Sequence, residues 1–592
     1  MPTTVRPAPS SSVLREHPFI QPRQLVGFDP RRVPLYRFDV IVVGGGVAGA
    51  SAALAAARAG ADVAVLTKSH LDRSNTQWAK GGVAAVYGSD DSWRAHADDT
   101  LAVGCGLCEE DAVEAVVRGG RSSIERLLEL GTAFDRDADG SIALGMEGGH
   151  SHARILHAGG DATGFELQRA LSEALERHER IATFPNTFSI DLLRCRDGAV
   201  RGVLAETERG DRVGFTAGEV VLATGGAGQI YRETTNPVIA TGDGVAMGLR
   251  AGAAARDMEF FQFHPTCLYI AGAARVLISE IVRGAGAVLR DRSGYRFMPD
   301  FHADAELAPR DVVSRAVAQR MAETEDTNVF LDLSGVDSGD PRELFPSIAR
   351  VCSFFGIDIS KDPIPVRPGC HYMIGGLEVD LDGRTTVPGL WAIGECANSG
   401  LHGANRMGSN SLLEGLVLGE RTGRLAAEAS RPVQRGELRI DADTECPSRG
   451  SIPVNLPDIT YSLKSLMWRH MGVIRAKDRL EESLPLLELW SRATLELAKS
   501  GPRSWELVNM LSVARLSIIG ALARTESRGV HFRVDHPETN EAWRAHTRLV
   551  PVASSESGVE RILVERSALR AASDAAEPSR EQRCVPGTGA SS

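Results

Sequence analysis

The chain has little that would direct it to nucleic acid, to a membrane or to an oxidising compartment. Its formal net charge is −11 over 592 residues, so no basic surface for nucleic acid is expected. No apolar run reads as long enough to cross a bilayer, and the smoothest stretch, residues 48–59, is made of small residues. The first thirty-odd residues are rich in Pro, Arg and Ser and lack the apolar core of a secretory signal. They read as a disordered tail or, because acidic residues are sparse there, an organelle transit peptide. The nine cysteines are odd in number and scattered, which suits reduced thiols in the cytoplasm. Cys105 and Cys108 form C-x-x-C, but no further cysteines follow at matching spacing, so no metal or iron–sulfur site is expected. The hydrophobic fraction of 43% is ordinary for a globular protein, and the length exceeds one core.

What is present is concentrated in FDVIVVGGGVAG, residues 38–49. A β-branched run of strand length enters Gly44-Gly45-Gly46-Val47-Ala48-Gly49, and residues 51–59 are nearly all alanine, a strong helix former. Gly44, Gly46 and Gly49 fit G-x-G-x-x-G. The first permits the turn, the second lets the backbone reach phosphates, and the third lets helix and strand pack closely. The helix start supplies orphan N–H groups and a partial positive charge. This predicts a dinucleotide pyrophosphate site. One expected part is missing. The second strand, residues 62–67, should end in Asp or Glu for ribose hydroxyls, but Thr67-Lys68 stands there. Another ribose contact must serve. Gly81-Gly82 follows, a second Gly-rich segment suited to a flat ring or a phosphate.

Residues 111–130 and 162–178 show helical spacing, and 181–221 read as short strands with Gly turns. Residues 219–226 form another strand ending in glycines, and strand-and-glycine character returns at 389–395. The fold class is therefore α/β, with a Rossmann-like domain split by an insertion. We divide the chain into a disordered tail (1–35), the first part of the nucleotide-binding domain (36–261), an inserted capping domain (262–370), the second part (371–431), a linker (432–455), a C-terminal helical domain (456–569) and a second disordered tail (570–592). The helical domain rests on apolar residues recurring at three and four spacing from Leu463 to Leu522.

Six dense motifs follow in order: Gly148-Gly149-His150-Ser151-His152, Gln262-Phe263-His264-Pro265-Thr266, Glu280-Ile281-Val282-Arg283-Gly284, Leu307-Ala308-Pro309-Arg310-Asp311, His371-Tyr372-Met373, and residues 402–412 beginning His402-Gly403-Ala404-Asn405-Arg406. In this order and spacing they resemble the flavoprotein family of succinate dehydrogenase, fumarate reductase and L-aspartate oxidase, over residues 36–540. The resemblance implies an FAD domain, an inserted α+β capping domain and a C-terminal helical bundle. It implies that FAD is lined by Gly44, Gly46, Val47, Ala48, Gly49, Lys68, Ser74, Asn75, Thr76, Gly81, Gly82, Ala223, Thr224 and Gly225. Asp243 takes a flavin-contact position and Glu395 a place near the ribityl chain. The N–H groups of Asn410, Ser411 and Leu412 meet the pyrimidine end, where negative charge grows on reduction.

Two departures favour the amino-acid-oxidising branch. Asn75 stands where membrane-complex members carry a His that bonds FAD covalently, so FAD is expected to be non-covalent. Glu147 replaces a neutral residue of the dicarboxylate dehydrogenases. L-aspartate differs from succinate by one ammonium, which a carboxylate recognises best. The two acid groups need clamps at opposite ends: Arg406 with His371, and His264 with the hydroxyl of Ser279. The family usually has Thr at the Ser279 position. Ala285 stands where a helper carboxylate is often found, so none is assigned.

The resemblance makes Arg310 the proton-transfer residue, with His264 and His371 beside it. Free Arg keeps its proton up to about pH 12, so a special environment must shift it, or it only stabilises developing charge. The reaction implied is loss of hydride from the α-carbon and of a proton from nitrogen or the β-carbon, giving iminoaspartate. Oxygen, yielding hydrogen peroxide, or fumarate would take the electrons. Quinolinate synthase is the implied pathway partner in NAD biosynthesis. A monomer or homodimer in the cytoplasm is expected, with no bound metal. The alternative is a soluble fumarate reductase or C4-dicarboxylate dehydrogenase.

Overall fold

The structure, a computed structural model, describes residues 11–270, 275–336, 339–441, 455–495, 501–554 and 558–570. Val40–Val43 is four β-branched residues, all buried. It is the middle strand of a five-stranded parallel sheet in the order Leu390–Ala392, Glu219–Leu222, Val40–Val43, Val63–Leu66, Ile181–Phe184. Continuous apolar strands are what a sheet covered on both faces requires. The helix Val47–Arg58 leaves the middle strand and packs along Asn410–Ala429. A Cβ at Gly423 would lie 2.0 Å from the carbonyl oxygen of Ala52, and one at Gly419 would lie 2.6 Å from that of Ala48. Glycines thus let the two helices meet at backbone distance, joining the late part of the split domain to the early part.

The insertion leaves and returns on two long antiparallel strands, Phe261–Leu268 and Ile364–Met373. Val329–Asp332 and Val288–Arg290 extend them into a four-stranded sheet. The helix Arg310–Glu323 packs on it, and Leu289, Val313, Val317 and Leu331 belong to a separate core. The inserted cap thus has its own hydrophobic centre and hangs over the parallel sheet by two strands. Leu456–His470, Lys477–Leu495 and Pro502–Ala523 make the C-terminal helices.

Several expectations need correction. Residues 11–35 are no disordered tail: Ser11–Gln21 pairs antiparallel with Gly558–Ala568, and Phe19 and Phe28 are buried. Residues 1–10 lie outside the described residues. Residues 456–569 are not wholly helical, because Ala545–Ser554 and Gly558–Ala568 form a hairpin. Its charged, interrupted pattern hides the strands, and Pro551 lies beyond the Ala255–Arg256 pairing, where that strand has a free edge. In the expected linker, Leu438 is buried and Asp441 pairs with Phe28, so its first part belongs to the body. Residues 442–454 and 571–592 lie outside the described residues, while Arg570 donates to Glu109 and Asp111. The expectation of no membrane-length apolar run also fails. Pro502–Ala523 passes by length and mean hydropathy of 1.5, yet 94% of that window is buried within the protein. It is a core helix, whose composition alone reads the same way.

Candidate active site

The glycine loop has the three roles its spacing requires. Gly44 has φ +114°, and a Cβ there would lie 2.1 Å from the carbonyl oxygen of Ala223. A Cβ at Gly49 would lie 2.0 Å from the carbonyl oxygen of Gly44, so helix and strand meet without a side chain between them. A Cβ at Gly46 would meet no backbone, only the side chains of Thr76, at 3.3 Å, and Ser74, at 3.6 Å. That hydroxyl accepts the N–H of Val47 at 3.0 Å, which ties Thr76 to the loop. Ser74 donates to Gln168, whose amide donates to the carbonyl of Gly45, so the 74–76 segment is braced on the same loop.

The second strand delivers Lys68 to a carboxylate rather than carrying one. Lys68 Nζ donates to Asp243 Oδ2 at 2.7 Å, to Glu506 Oε1 at 2.7 Å and to Thr241 Oγ1 at 2.6 Å. The carboxylate that meets Lys68 is that of Asp243, the first residue of the helix Asp243–Ala251. Thr224 Oγ1 accepts the N–H of Gly244 at 3.1 Å, holding that helix to the end of the strand Glu219–Leu222.

Asn75 Nδ2 donates to Glu395 Oε2 at 2.8 Å, and Met373 N donates to Oε1 at 2.9 Å. Gly225 lies beside Asn75, and Gly226 leaves room for Glu395. Burial pushes the Glu395 carboxyl above its ordinary value, although these bonds and Arg406 oppose the shift. Gly82 is required by packing, since a Cβ would lie 2.3 Å from the carbonyl oxygen of Leu156. Gly81 faces the pocket, near Glu147 and Ser409. Leu412 is buried inside the long helix, and Ser411 accepts from Arg406.

The substrate residues come from both sides. His264, Ser279 and Arg310 belong to the cap and His371 to the end of its returning strand Ile364–Met373; Glu147 and Arg406 belong to the nucleotide-binding domain. The rings of His264 and His371 lie 5.6 Å apart. Burial pushes both well below the ordinary histidine value, assisted by Arg310 at His264 and by Arg406 at His371. Thr266 N donates to His264 Nδ1 at 3.3 Å, so the proton of the neutral ring sits on Nε2. Thr235 Oγ1 lies 2.9 Å from His371 Nδ1. The Ser279 hydroxyl caps the short helix that follows and keeps its own proton to donate.

Arg406 lies over the Tyr372 ring at 4.7 Å, and its Nε has no partner among the described residues. Burial, with Arg310 nearby, pushes it down to about 10. It is a desolvated cation with donors to spare, as an anion clamp needs. Glu147 helps keep both Arg406 and Arg310 charged. Ser409, at φ +63°, donates to Glu147 Oε2 at 2.7 Å. A strained non-glycine residue that holds a pocket carboxylate is typical of a functional site.

Residues 39–412 match the FAD binding domain family, and residues 460–568 match the fumarate reductase flavoprotein C-terminal family. The L-aspartate oxidase of Streptomyces coelicolor is 44% identical over 86% of this chain and 90% of its own. That of Bacillus subtilis is 41% identical over 85% and 92%. The chain belongs to the L-aspartate oxidase family. Within the wider flavoprotein family, the solved FrdA chain of an E. coli quinol fumarate reductase mutant superposes with a TM-score of 0.83. It is 32% identical over 91% of this chain and 98% of that one. The cofactor of an L-aspartate oxidase family member is FAD, and the residues fit it. Two helices, Val47–Arg58 and Asn410–Ala429, start without an N-cap side chain; the N–H of Val47 goes to Thr76 and that of Asn410 to the Gly408 carbonyl, so it is the N–H groups just after them that face the pyrophosphate and the pyrimidine end.

Three residues of the pocket escape the sequence reading. Glu280 accepts from Arg310 Nε at 2.6 Å and from Arg283 NH2 at 2.9 Å. It is a carboxylate five residues before Ala285, and its i, i+3 spacing to Arg283 is the available signal. Gln262 donates to the carbonyl of Arg406 at 2.7 Å and accepts from Arg310 at 3.4 Å, linking the two cations. It shares a strand face with His264, two residues on. Ser409 had no signal apart from its place beside Asn410.

Proposed function

We propose that the chain oxidises L-aspartate to iminoaspartate, with oxygen, giving hydrogen peroxide, or fumarate as electron acceptor. The observation that carries this reading is Glu147, held by Ser409 within reach of both Arg310 and Arg406, whereas the other carboxylates nearby are already engaged, Glu280 by Arg310 and Arg283 and Glu395 by Asn75 and Met373. A dicarboxylate alone has no use for Glu147, whereas the α-ammonium of aspartate does. Arg406 and His371 take one carboxylate, and His264 Nε2 and Ser279 take the other. Holding both ends leaves the α-carbon in one orientation and excludes water from it.

Bound FAD supplies hydride acceptance, held without a covalent bond because Asn75 offers no tether. Gly44, Gly46, Val47, Ala48 and Gly49 hold its pyrophosphate, Lys68 the adenosine side, and Asn75, Gly81, Asp243, Glu395 and residues 410–412 the flavin. Arg310 stays charged: burial opposes this, but Glu280 more than restores it. It acts as a base only if its Nε proton passes to Glu280 as a terminal nitrogen takes the substrate's proton. Arg283 then stands behind Glu280 as the next group.

This reaction opens de novo NAD synthesis, and its unstable imine suits a quinolinate synthase as consumer. We place the enzyme in the cytoplasm, as a monomer or homodimer. The second reading, a soluble fumarate reductase or C4-dicarboxylate dehydrogenase, uses the same clamps and leaves Glu147 without an ammonium to meet. Anaerobic flavin bleaching with a panel of C4 acids and amino acids separates them. L-aspartate should bleach the flavin; bleaching by succinate with no response to aspartate sinks the assignment.

A further inference from the structure

Two segments wall the pocket on the nucleotide-binding side. One carries Glu147; the other, residues 406–410, carries Arg406 and opens the long helix. The first is a tight turn. His150 N donates to the carbonyl of Glu147 at 3.2 Å, and Gly149, at φ +89°, takes the position that needs glycine. Glu147 and His150 are therefore the two ends of one turn, and holding the imidazole holds the carboxylate.

The imidazole is held from both sides. His150 Nε2 lies 3.2 Å from the carbonyl oxygen of Gly408. A carbonyl only accepts, so the proton is on Nε2. Nδ1 is then the acceptor, 3.3 Å from Arg154 NH1, which only donates. Arg154 is fully buried and is pinned by Asp91 at 2.8 Å and Asp99 at 2.5 Å. A second histidine braces the same loop. Thr100 Oγ1 donates to the carbonyl of His96 at 2.8 Å and accepts from Asn410 Nδ2 at 3.0 Å. Asn410 Oδ1 therefore accepts from His96 Nε2 at 2.8 Å. Every direction in that ring is determined. Burial pushes His96 down to about 4 and His150 down to about 3, so both rings are neutral at neutral pH.

We infer that His150 is a positioning residue for aspartate recognition: anchored by Arg154, it ties the Gly408 carbonyl to the Glu147 turn and so sets the Glu147 carboxylate against Arg406. A Cβ at Gly408 would lie 2.9 Å from Glu147 Oε2 and 3.1 Å from Arg310 NH2, so a small drift of this loop disturbs the polar centre of the pocket. The inference rests on the reading of Glu147 as the ammonium partner.

The test is steady-state kinetics on flavin-loaded His150→Leu, His150→Gln and Glu147→Gln. Gln donates to Gly408 and accepts from Arg154; Leu has similar bulk and does neither. His150→Leu should raise KM for L-aspartate about tenfold, with kcat within about threefold, and His150→Gln should stay within about threefold in both. In the Glu147→Gln background, His150→Leu should add less than about twofold, because the group it positions is gone. Should His150→Leu fail to retain flavin, His150→Asn, too short to span to Gly408, replaces it with the same expectations. Unchanged kinetics in His150→Leu, equal damage from Gln, or full additivity with Glu147→Gln overturns the inference. Normal aspartate turnover in Glu147→Gln is a different failure: it removes the ammonium reading itself, and this inference with it.

Discussion

Arg310 Nε lies 2.6 Å from Glu280 Oε1, and this buried ion pair closes the cap side of the pocket. Burial would raise Glu280, yet Arg310 and Arg283 hold it far below the usual carboxylate range. Glu280 is therefore ionised and is the group to which the Nε proton would pass, although the two guanidinium groups make it a weaker base than an ordinary carboxylate.

Glu280→Gln keeps the shape of that contact and removes its charge and basicity. We expect kcat with L-aspartate to fall about 100-fold while KM changes less than about threefold. Rapid-mixing measurement of flavin reduction checks this; an unaltered reduction rate would show that Glu280 has no part in proton transfer.

The alkaline limit belongs to Arg406. Its value near 10, depressed first by burial and then by Arg310, means it is charged below that pH and neutral above it. A neutral Arg406 loses its hold on a carboxylate, so kcat/KM for L-aspartate should be level through neutral pH and decline above about pH 10. Glu147 is one of the groups keeping Arg406 charged. In Glu147→Gln the limb should therefore move to lower pH, on top of a selective loss with L-aspartate that spares fumarate reduction. A pH–rate profile of both proteins decides the matter.

Lys68 is the ammonium between Asp243 and Glu506 and joins the nucleotide-binding domain to the C-terminal helix Pro502–Ala523. Burial lowers its affinity for a proton, but the two carboxylates more than offset this and its value is raised. Its stabilising contribution is accordingly full below the ordinary lysine range and is lost as pH climbs through the folded value. Lys68→Met leaves two acids without their cation and should cost about 3 kcal/mol. A lower urea midpoint for the holoprotein at pH 7 is the expected result.

Asn75 predicts how the flavin leaves. Acid precipitation should put all of the yellow colour in the supernatant, as free FAD. Asn75→Leu removes the donor to Glu395 and should weaken FAD binding about tenfold, read by flavin fluorescence titration.

The parts of this fold that a linear reading recovers are those made by neighbours in sequence. Gly44, Gly46 and Gly49 are legible because strand, turn and helix are consecutive, and Glu147 because it departs from a local motif. Thr67-Lys68 is legible as a missing acid. The arrival of Asp243 beside Lys68 is not, because it depends on where a distant helix docks. Glu280 was hidden by looking for its carboxylate at Ala285, after the Arg-Gly pair instead of before it. Ser11–Gln21 was hidden for a plainer reason. Its residues are mostly exposed, and nothing in it marks a strand until its partner Gly558–Ala568 is present.

That pairing of Ser11–Gln21 with Gly558–Ala568 also bears on biosynthesis. During translation the strand Ser11–Gln21 waits with its backbone groups unpaired until Gly558–Ala568, more than 500 residues on, has been made. The nucleotide-binding and capping cores can close in the meantime, but the outer sheet cannot. A ribosome that stops before Gly558 therefore releases a chain with one naked strand, free to pair with its counterpart on another such chain.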